Sequence, residues 1–314
     1  MERIVFLDRD SIRANFRTPE FPHEWQDFPV THSSDVVERL RDATIAITNK
    51  IPLREKDLAE LPNLKMIAVA ATGTDCIDLQ YCRESGIVVS NVRNYSTHSV
   101  PEHVFALILA LRRNIIAFHE DIRAGKWQKS LVFCLLDYPI RDLRDSTLGI
   151  IGYGVLGQAV EKIALGFGMR VIIAEHKSAP NERNGRVSFE EVLSASDIIT
   201  LHCPLTPETS GLIGTAEFRR MKRSALLINC GRGGLVEEKA LVDALQNHLI
   251  SGAGIDVLSQ EPPRSGNPLL DVQLPNLLVT PHIAWASVEA MQILADYLID
   301  NLESFISGKP QNMV

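Results

Sequence analysis

The sequence predicts an α/β protein built on parallel sheets, in two domains. Short Val- and Ile-rich runs alternate with amphipathic stretches from end to end, the pattern of parallel strands covered by crossover helices. The length of 314 residues exceeds the ~100 to 200 of a typical domain. Hydrophobic residues at 45% and charged residues at 23% match globular usage, which excludes a disordered, collagen-like or coiled-coil chain.

Taken in order, the first third holds predicted strands at 3–7, 44–48, 65–70 and 87–90, with helices at 35–41 and 76–84. The pattern then changes to a long apolar-rich helix over 101–118, with Ser99 as its N-cap and Pro101 in the first turn, where its missing N–H costs nothing. The stretch 125–144 shows no periodicity and reads as a loop. A second series follows, with strands at 147–151, 170–174, 197–201, 225–230, 252–257 and 277–280 and helices at 155–167, 189–195, 216–221 and 237–248. Six strands joined by right-handed crossovers make a doubly wound sheet in the order 3-2-1-4-5-6. The last helix, 287–305, has no strand after it and is expected to return to the first domain. The division is then 1–97 with 284–314, and 98–283.

Lys plus Arg number 32 against 39 Asp plus Glu, a net charge of −7, and no basic run stands ready to neutralise a phosphate backbone. Nucleic acid is therefore not an expected partner. Charges interrupt the opening MERIVFLDRD too early for a secretory core, and the longest apolar run, 104–111, is shorter than the ~20 residues that cross a bilayer. No membrane association and a cytoplasmic location are expected. The five cysteines are odd in number and form no C-x-x-C pair, so neither a disulfide framework nor a metal site is expected.

Gly152-Tyr153-Gly154-Val155-Leu156-Gly157 follows a predicted strand and opens a predicted helix. That context turns a weak motif into a dinucleotide site: Gly152 for the tight turn, Gly154 for close approach of a pyrophosphate, Gly157 for helix-strand packing, and helix N–H groups for the phosphates. The next strand runs out at Glu175, where a carboxylate can accept from ribose hydroxyls and repel a 2′-phosphate, which favours NAD. Lys177 and Arg183 lie close by in sequence, so NADP stays open as the less favoured cofactor.

Arg232, Glu261 and His282 follow the fourth, fifth and sixth strands of this series. Adjacent strands lie ~4.8 Å apart, and ligands of open α/β sheets bind beyond the carboxyl ends, so these three side chains can converge. Their types suit reduction of a 2-keto acid. A guanidinium fork binds the carboxylate and polarises the carbonyl, an imidazole carries the proton, and a carboxylate orients the ring and favours its charged form.

These residues, with His202-Cys203-Pro204-Leu205, Asn229-Cys230-Gly231-Arg232-Gly233, Gly254-Ile255-Asp256-Val257, Glu261-Pro262 and Pro281-His282, resemble the D-isomer-specific 2-hydroxyacid dehydrogenase family over nearly the whole chain. The resemblance implies a six-stranded NAD-binding domain, a smaller, discontinuous flavodoxin-like substrate domain, an active site in the cleft between them, and a homodimer. It assigns Arg232 to the substrate carboxylate and carbonyl, His282 to acid/base work and Glu261 to its support. It puts the cofactor against His202, Cys203, Pro204, Cys230 and Asp256, with Asp256 on the nicotinamide carboxamide, and the substrate carboxylate on the backbone amides of Ala71, Thr72, Gly73 and Thr74. Arg93-Asn94-Tyr95-Ser96 and His282-Ile283-Ala284-Trp285 look most like the D-glycerate dehydrogenases, the hydroxypyruvate reductases. Trp285 either walls the substrate pocket or packs a helix. Formate dehydrogenases resemble this chain less, since their pattern has glutamine where Glu261 stands. D-lactate or other 2-keto acid reduction stays open, as does an NAD-sensing corepressor-like interaction protein.

Overall fold

Residues 1–314 are all described in the computed structural model, and they segregate into two units, Met1–Ser96 with Ala286–Val314, and Thr97–Trp285. No helix is long and apolar enough to cross a membrane.

The first unit carries five parallel strands, β1 (Glu2–Phe6), β2 (His23–Asp27), β3 (Ile45–Thr48), β4 (Met66–Val69) and β5 (Val88–Ser90), in the flavodoxin-like order β2-β1-β3-β4-β5. Three short helices, α1 (Val36–Leu40), α2 (Glu55–Leu58) and α3 (Leu79–Glu84), complete its first segment. Alternate strand residues such as Val5, Ala46, Ile67 and Val89 pack one face against Val36, Leu40, Leu58 and Cys82. Strand β2 is absent from the sequence expectation because its HEWQD run is polar and exposed on alternate positions. It pairs only with β1, and an edge strand needs no apolar face. The returning helix α10 (Val288–Ile306) packs on β4 and buries Leu294, Leu298, Ile299 and Leu302, one face of a 3.6-residue period. Ser287 caps it, accepting from the Ala290 N–H at 3.0 Å. Arg17 clamps its outer side through Asp300 and Glu303, both at 2.6 Å.

The second unit holds a six-stranded parallel sheet: β6 (Thr147–Ile151), β7 (Arg170–Ile173), β8 (Ile198–Leu201), β9 (Leu226–Asn229), β10 (Gly252–Ile255) and β11 (Leu277–Val279). Helices α4 (Ser99–Arg112) and α6 (Val155–Gly166) cover one face, and α7 (Phe189–Ala195), α8 (Thr215–Arg220) and α9 (Glu238–Gln246) the other. The strands divide their side chains accordingly. Ile198, Leu226 and Ile228 face the first layer, and Ile199, Leu201 and Leu227 the second.

The structure departs from the sequence expectation in three places. The strand order is β7-β6-β8-β9-β10-β11, which is 2-1-3-4-5-6 in the unit's own count and not 3-2-1-4-5-6. Beside β7 the chain makes a single parallel bridge, Ala174 with Val187, in the place expected for a third strand. The intervening run to Arg186 is too polar to lie in a covered sheet, so the next buried strand crosses to the far side of β6. The long helix is two, α4 and α5 (Ile115–Arg123), broken where Asn114 turns left-handed at φ 48. Apolar periodicity runs through the break and hides it, and Asn is among the few residues that tolerate that conformation. Ser99 lies inside α4 rather than capping it, its hydroxyl donating to the Ala284 carbonyl at 2.6 Å.

Candidate active site

The glycine loop joins β6 to α6. Gly152 sits at φ 94, and a Cβ there would run into the backbone of His202 and Cys203. This contact seats the β6 loop against the β8 loop, with His202 N–H donating to the Ile151 carbonyl at 2.7 Å. A Cβ on Gly157 would clash with the Gly152 carbonyl and lie 3.3 Å from Ile150. A Cβ on Gly154, by contrast, would meet no atom within 4 Å, and Gly154 as N-cap offers no side chain to the first-turn N–H groups of α6. Open space over uncapped, positively polarised N–H groups fits a pyrophosphate. Val155 is exposed and Leu156 half-buried at the start of the helix, while the Tyr153 hydroxyl donates back to Glu161 on α6.

Beyond β8, burial pushes His202 down to about 4 and the Cys203 thiol up to about 11, so both are neutral near pH 7. The His202 ring is tied to Thr200 Oγ1 at 2.9 Å, and the next residue, Pro204, is exposed. Cys230, after β9, is held uncharged by burial and by the nearby Asp256.

Glu175 is buried, two positions past β7, and its carboxylate is engaged. Arg183 grips it with Nε at 2.7 Å and Nη2 at 2.5 Å, and the N–H groups of His176 and Arg183 donate to it at 2.8 and 3.1 Å. The guanidinium holds this carboxyl far below the usual range. Lys177 turns away to Glu217 at 2.9 Å.

Arg232, Glu261 and His282 stand just beyond the carboxyl ends of β9, β10 and β11, three neighbours in the sheet. Glu261 Oε2 and His282 Nδ1 are 2.5 Å apart, and Oε1 accepts from the Leu258 N–H at 2.8 Å. The carboxylate thus fixes the ring and is itself fixed. Arg232 is half-buried, with Nη1 donating to the Gly231 carbonyl at 2.9 Å. Its turn is held by buried Asn229, which donates to the Arg232 carbonyl at 2.9 Å and accepts from Gly231 N–H at 3.0 Å. Gly233 lets this turn rest on the Leu258 backbone, where any Cβ would clash.

His282 is left-handed, at φ 57, a conformation that persists only where neighbours enforce it. Its N–H donates to the carbonyls of Asp256 at 2.8 Å and Thr280 at 3.0 Å. The buried Asp256 carboxylate takes Thr280 Oγ1 at 2.5 Å and Ile283 N–H at 3.0 Å on Oδ1, and Ala284 N–H at 2.9 Å on Oδ2. Asp256 therefore shapes the turn that carries His282 and keeps lone-pair capacity on Oδ2. His103 of α4 joins this cluster, its Nε2 3.0 Å from Thr280 Oγ1. Neither His103 nor Thr280 stands out in the sequence: one is a histidine in an apolar helix, the other a strand-end threonine. Trp285 packs half-buried against the layer that includes Val100, Val104 and Ala284.

In the first unit, Ala71-Thr72-Gly73-Thr74 follows β4. Thr72 Oγ1 donates to the Val92 carbonyl at 2.8 Å, Asn91 Nδ2 to the Thr72 carbonyl at 2.7 Å, and Val92 N–H to the Ala71 carbonyl at 3.0 Å. The N–H groups of Thr72, Gly73 and Thr74 have no acceptor within the unit, the condition of an anion nest.

Residues 105–284 match the family model of the D-isomer specific 2-hydroxyacid dehydrogenase NAD binding domain. Over 314 residues the chain is 52% identical to a glycerate dehydrogenase of Methylorubrum extorquens, covering 100% of this chain and 99% of that one. It is 39% identical over 288 residues to a hydroxypyruvate reductase of Blautia hydrogenotrophica, covering 91% and 89%. An acyclic imino acid reductase solved with NADPH and D-Arg superposes with a TM-score of 0.86 at 31% identity over 99% of both chains. With its glycine cradle on α6 and its match across the second unit, the chain belongs to the D-isomer specific 2-hydroxyacid dehydrogenases.

Proposed function

We propose that the protein reduces hydroxypyruvate to D-glycerate with NADH, accepts glyoxylate, and runs the reverse oxidation with NAD. The observation that carries this reading is the 2.5 Å Glu261–His282 pair beyond β10 and β11, with Arg232 beyond the adjacent β9. The names of the relatives support the choice of keto acid.

The Gly152–Gly157 loop and the first turn of α6 would hold the cofactor, with His202, Cys203, Pro204, Cys230 and Asp256 toward its nicotinamide half. The chemistry it would supply there is a hydride for the keto carbon. Arg232 binds the substrate carboxylate and draws charge from the carbonyl as alkoxide develops. His282 donates the proton from Nε2, since Glu261 holds Nδ1 and fixes the ring. The unpaired N–H groups of Thr72, Gly73 and Thr74 receive a substrate carboxylate, and Ala71 anchors the turn. Residues 1–97 with 284–314 serve as the substrate-binding domain and 98–283 as the NAD-binding domain. Trp285 limits the size of the substrate side chain.

The working unit is a homodimer. Trp127, Leu131, Val132, Phe133 and Leu136 are exposed, Leu131 fully and Phe133 to 89%, an apolar surface that a second copy of the chain would cover.

The test is a panel of hydroxypyruvate, glyoxylate and pyruvate with NADH and with NADPH, followed by NAD(P)H absorbance. Hydroxypyruvate with NADH is expected to give the highest kcat/KM. Flat absorbance with every keto acid would refute the enzyme reading and leave an NAD-binding interaction protein, and a preference for pyruvate would reassign the substrate.

A further inference from the structure

We propose that the second unit carries a binding site for a small organic anion, a carboxylate or phosphate on an apolar body, at the amino ends of β9, β10 and β11. A cavity of about 520 Å³ opens there, within the range of ligand pockets. Its walls come from the end of α4, from residues 138–141, and from the residues that lead into β9, β10 and β11. The carboxyl ends of the same strands bear Arg232, Glu261 and His282, so about 13 Å of strand separates the two places.

Arg112 and Arg141 both line the cavity, and not one of its lining residues is an aspartate or glutamate. Arg112 is 6% exposed, and its Nε has no hydrogen-bond partner. The only carboxylate whose charge it feels is Asp197, already bound to Lys222 at 3.0 Å and to Thr147 N–H at 2.9 Å. The carbonyl end of α4 offers it a partial charge at most. Burial and the neighbouring Arg141 both weigh against its charge. Two cations lining a cavity whose walls hold no carboxylate are costly, and an anion between them removes that cost on both. Ser224, His248 and Ser251 add polar groups around the same space. Leu111, Leu245 and Leu274 give apolar wall, so the occupant is larger than a bare inorganic ion.

Calorimetric titration with phenyl phosphate, at constant ionic strength and with the protein saturated in NADH so that its nucleotide cradle is filled, tests the site. One phenyl phosphate is expected per chain, bound more tightly than inorganic phosphate. Binding should persist in Arg232→Gln, weaken at least ~10-fold in Arg112→Met, and weaken less in Arg141→Gln, which keeps its turnover. No binding by the wild-type protein, loss of binding in Arg232→Gln, or unchanged affinity in the Arg112 and Arg141 variants would overturn the proposal. Should Arg112→Met fail to fold, the exposed Arg141 decides alone.

Discussion

His282 shows how much structure one side chain requires. Its ring is fixed by Glu261 at 2.5 Å, its left-handed backbone by the carbonyls of Asp256 and Thr280, and the two amides after it by the Asp256 carboxylate. His282→Ala is expected to cut kcat by ~10² to 10⁴-fold while NADH affinity stays within a few-fold. Stopped-flow turnover and NADH fluorescence titration measure the two. Glu261→Gln keeps a hydrogen bond to the ring but drops the carboxylate that fixes it through two contacts, and it is expected to lower kcat for keto acid reduction while NADH affinity stays within a few-fold. A kcat equal to that of the wild type would contradict the pairing. His202 gives a separate pH effect. Its folded value near 4 lies below the unfolded ~6.5, so the unfolded chain takes up the proton first as pH falls. Stability should therefore drop by about 3 kcal/mol between pH 6.5 and 4, and the drop should be absent in His202→Gln, as denaturant melts across that range will show.

At the scale of elements, the site depends on loops that touch. Gly152 seats the β6 loop on the β8 loop, and Gly233 seats the Arg232 turn on Leu258, whose N–H holds Glu261. Gly233→Ala forces a methyl into the Leu258 backbone. It is expected to cost about 1 to 3 kcal/mol and to lower kcat/KM by displacing Arg232 and Glu261 together. A variant with reduced Tm and unchanged kcat/KM would show that the contact stabilises without positioning. Buried elements with strong period-2 or 3.6 patterns could be read from sequence, as β6 and α7 were, residue for residue. Elements whose stability comes from a neighbour could not: β2 is a polar edge, and the α4–α5 break depends on one left-handed Asn114 tied to the Pro139 carbonyl at 2.7 Å.

For the whole molecule, the exposed apolar side chains between Trp127 and Leu136 bear on assembly. A homodimer is expected from light scattering, and Phe133→Asp with Leu136→Asp is expected to yield monomer with each unit still folded by circular dichroism. A wild-type monomer at micromolar concentration would remove the dimer.

The layered α/β architecture, the glycine cradle and the three polar residues that follow successive strands are legible in the order of amino acids alone. Each of these rests on local periodicity, or on residue types whose chemistry does not depend on distant neighbours. Strand order is fixed on folding, because one polar stretch after β7 yields a bridge instead of a strand. Folding alone placed Arg183 on Glu175 and Asp256 under the His282 turn. It also left Arg112 Nε buried without a hydrogen-bond partner in a side chain that lines a cavity. Those outcomes depend on which side chains from distant segments share a buried space, and hydrogen bonding and burial in such a space are properties of the assembled fold.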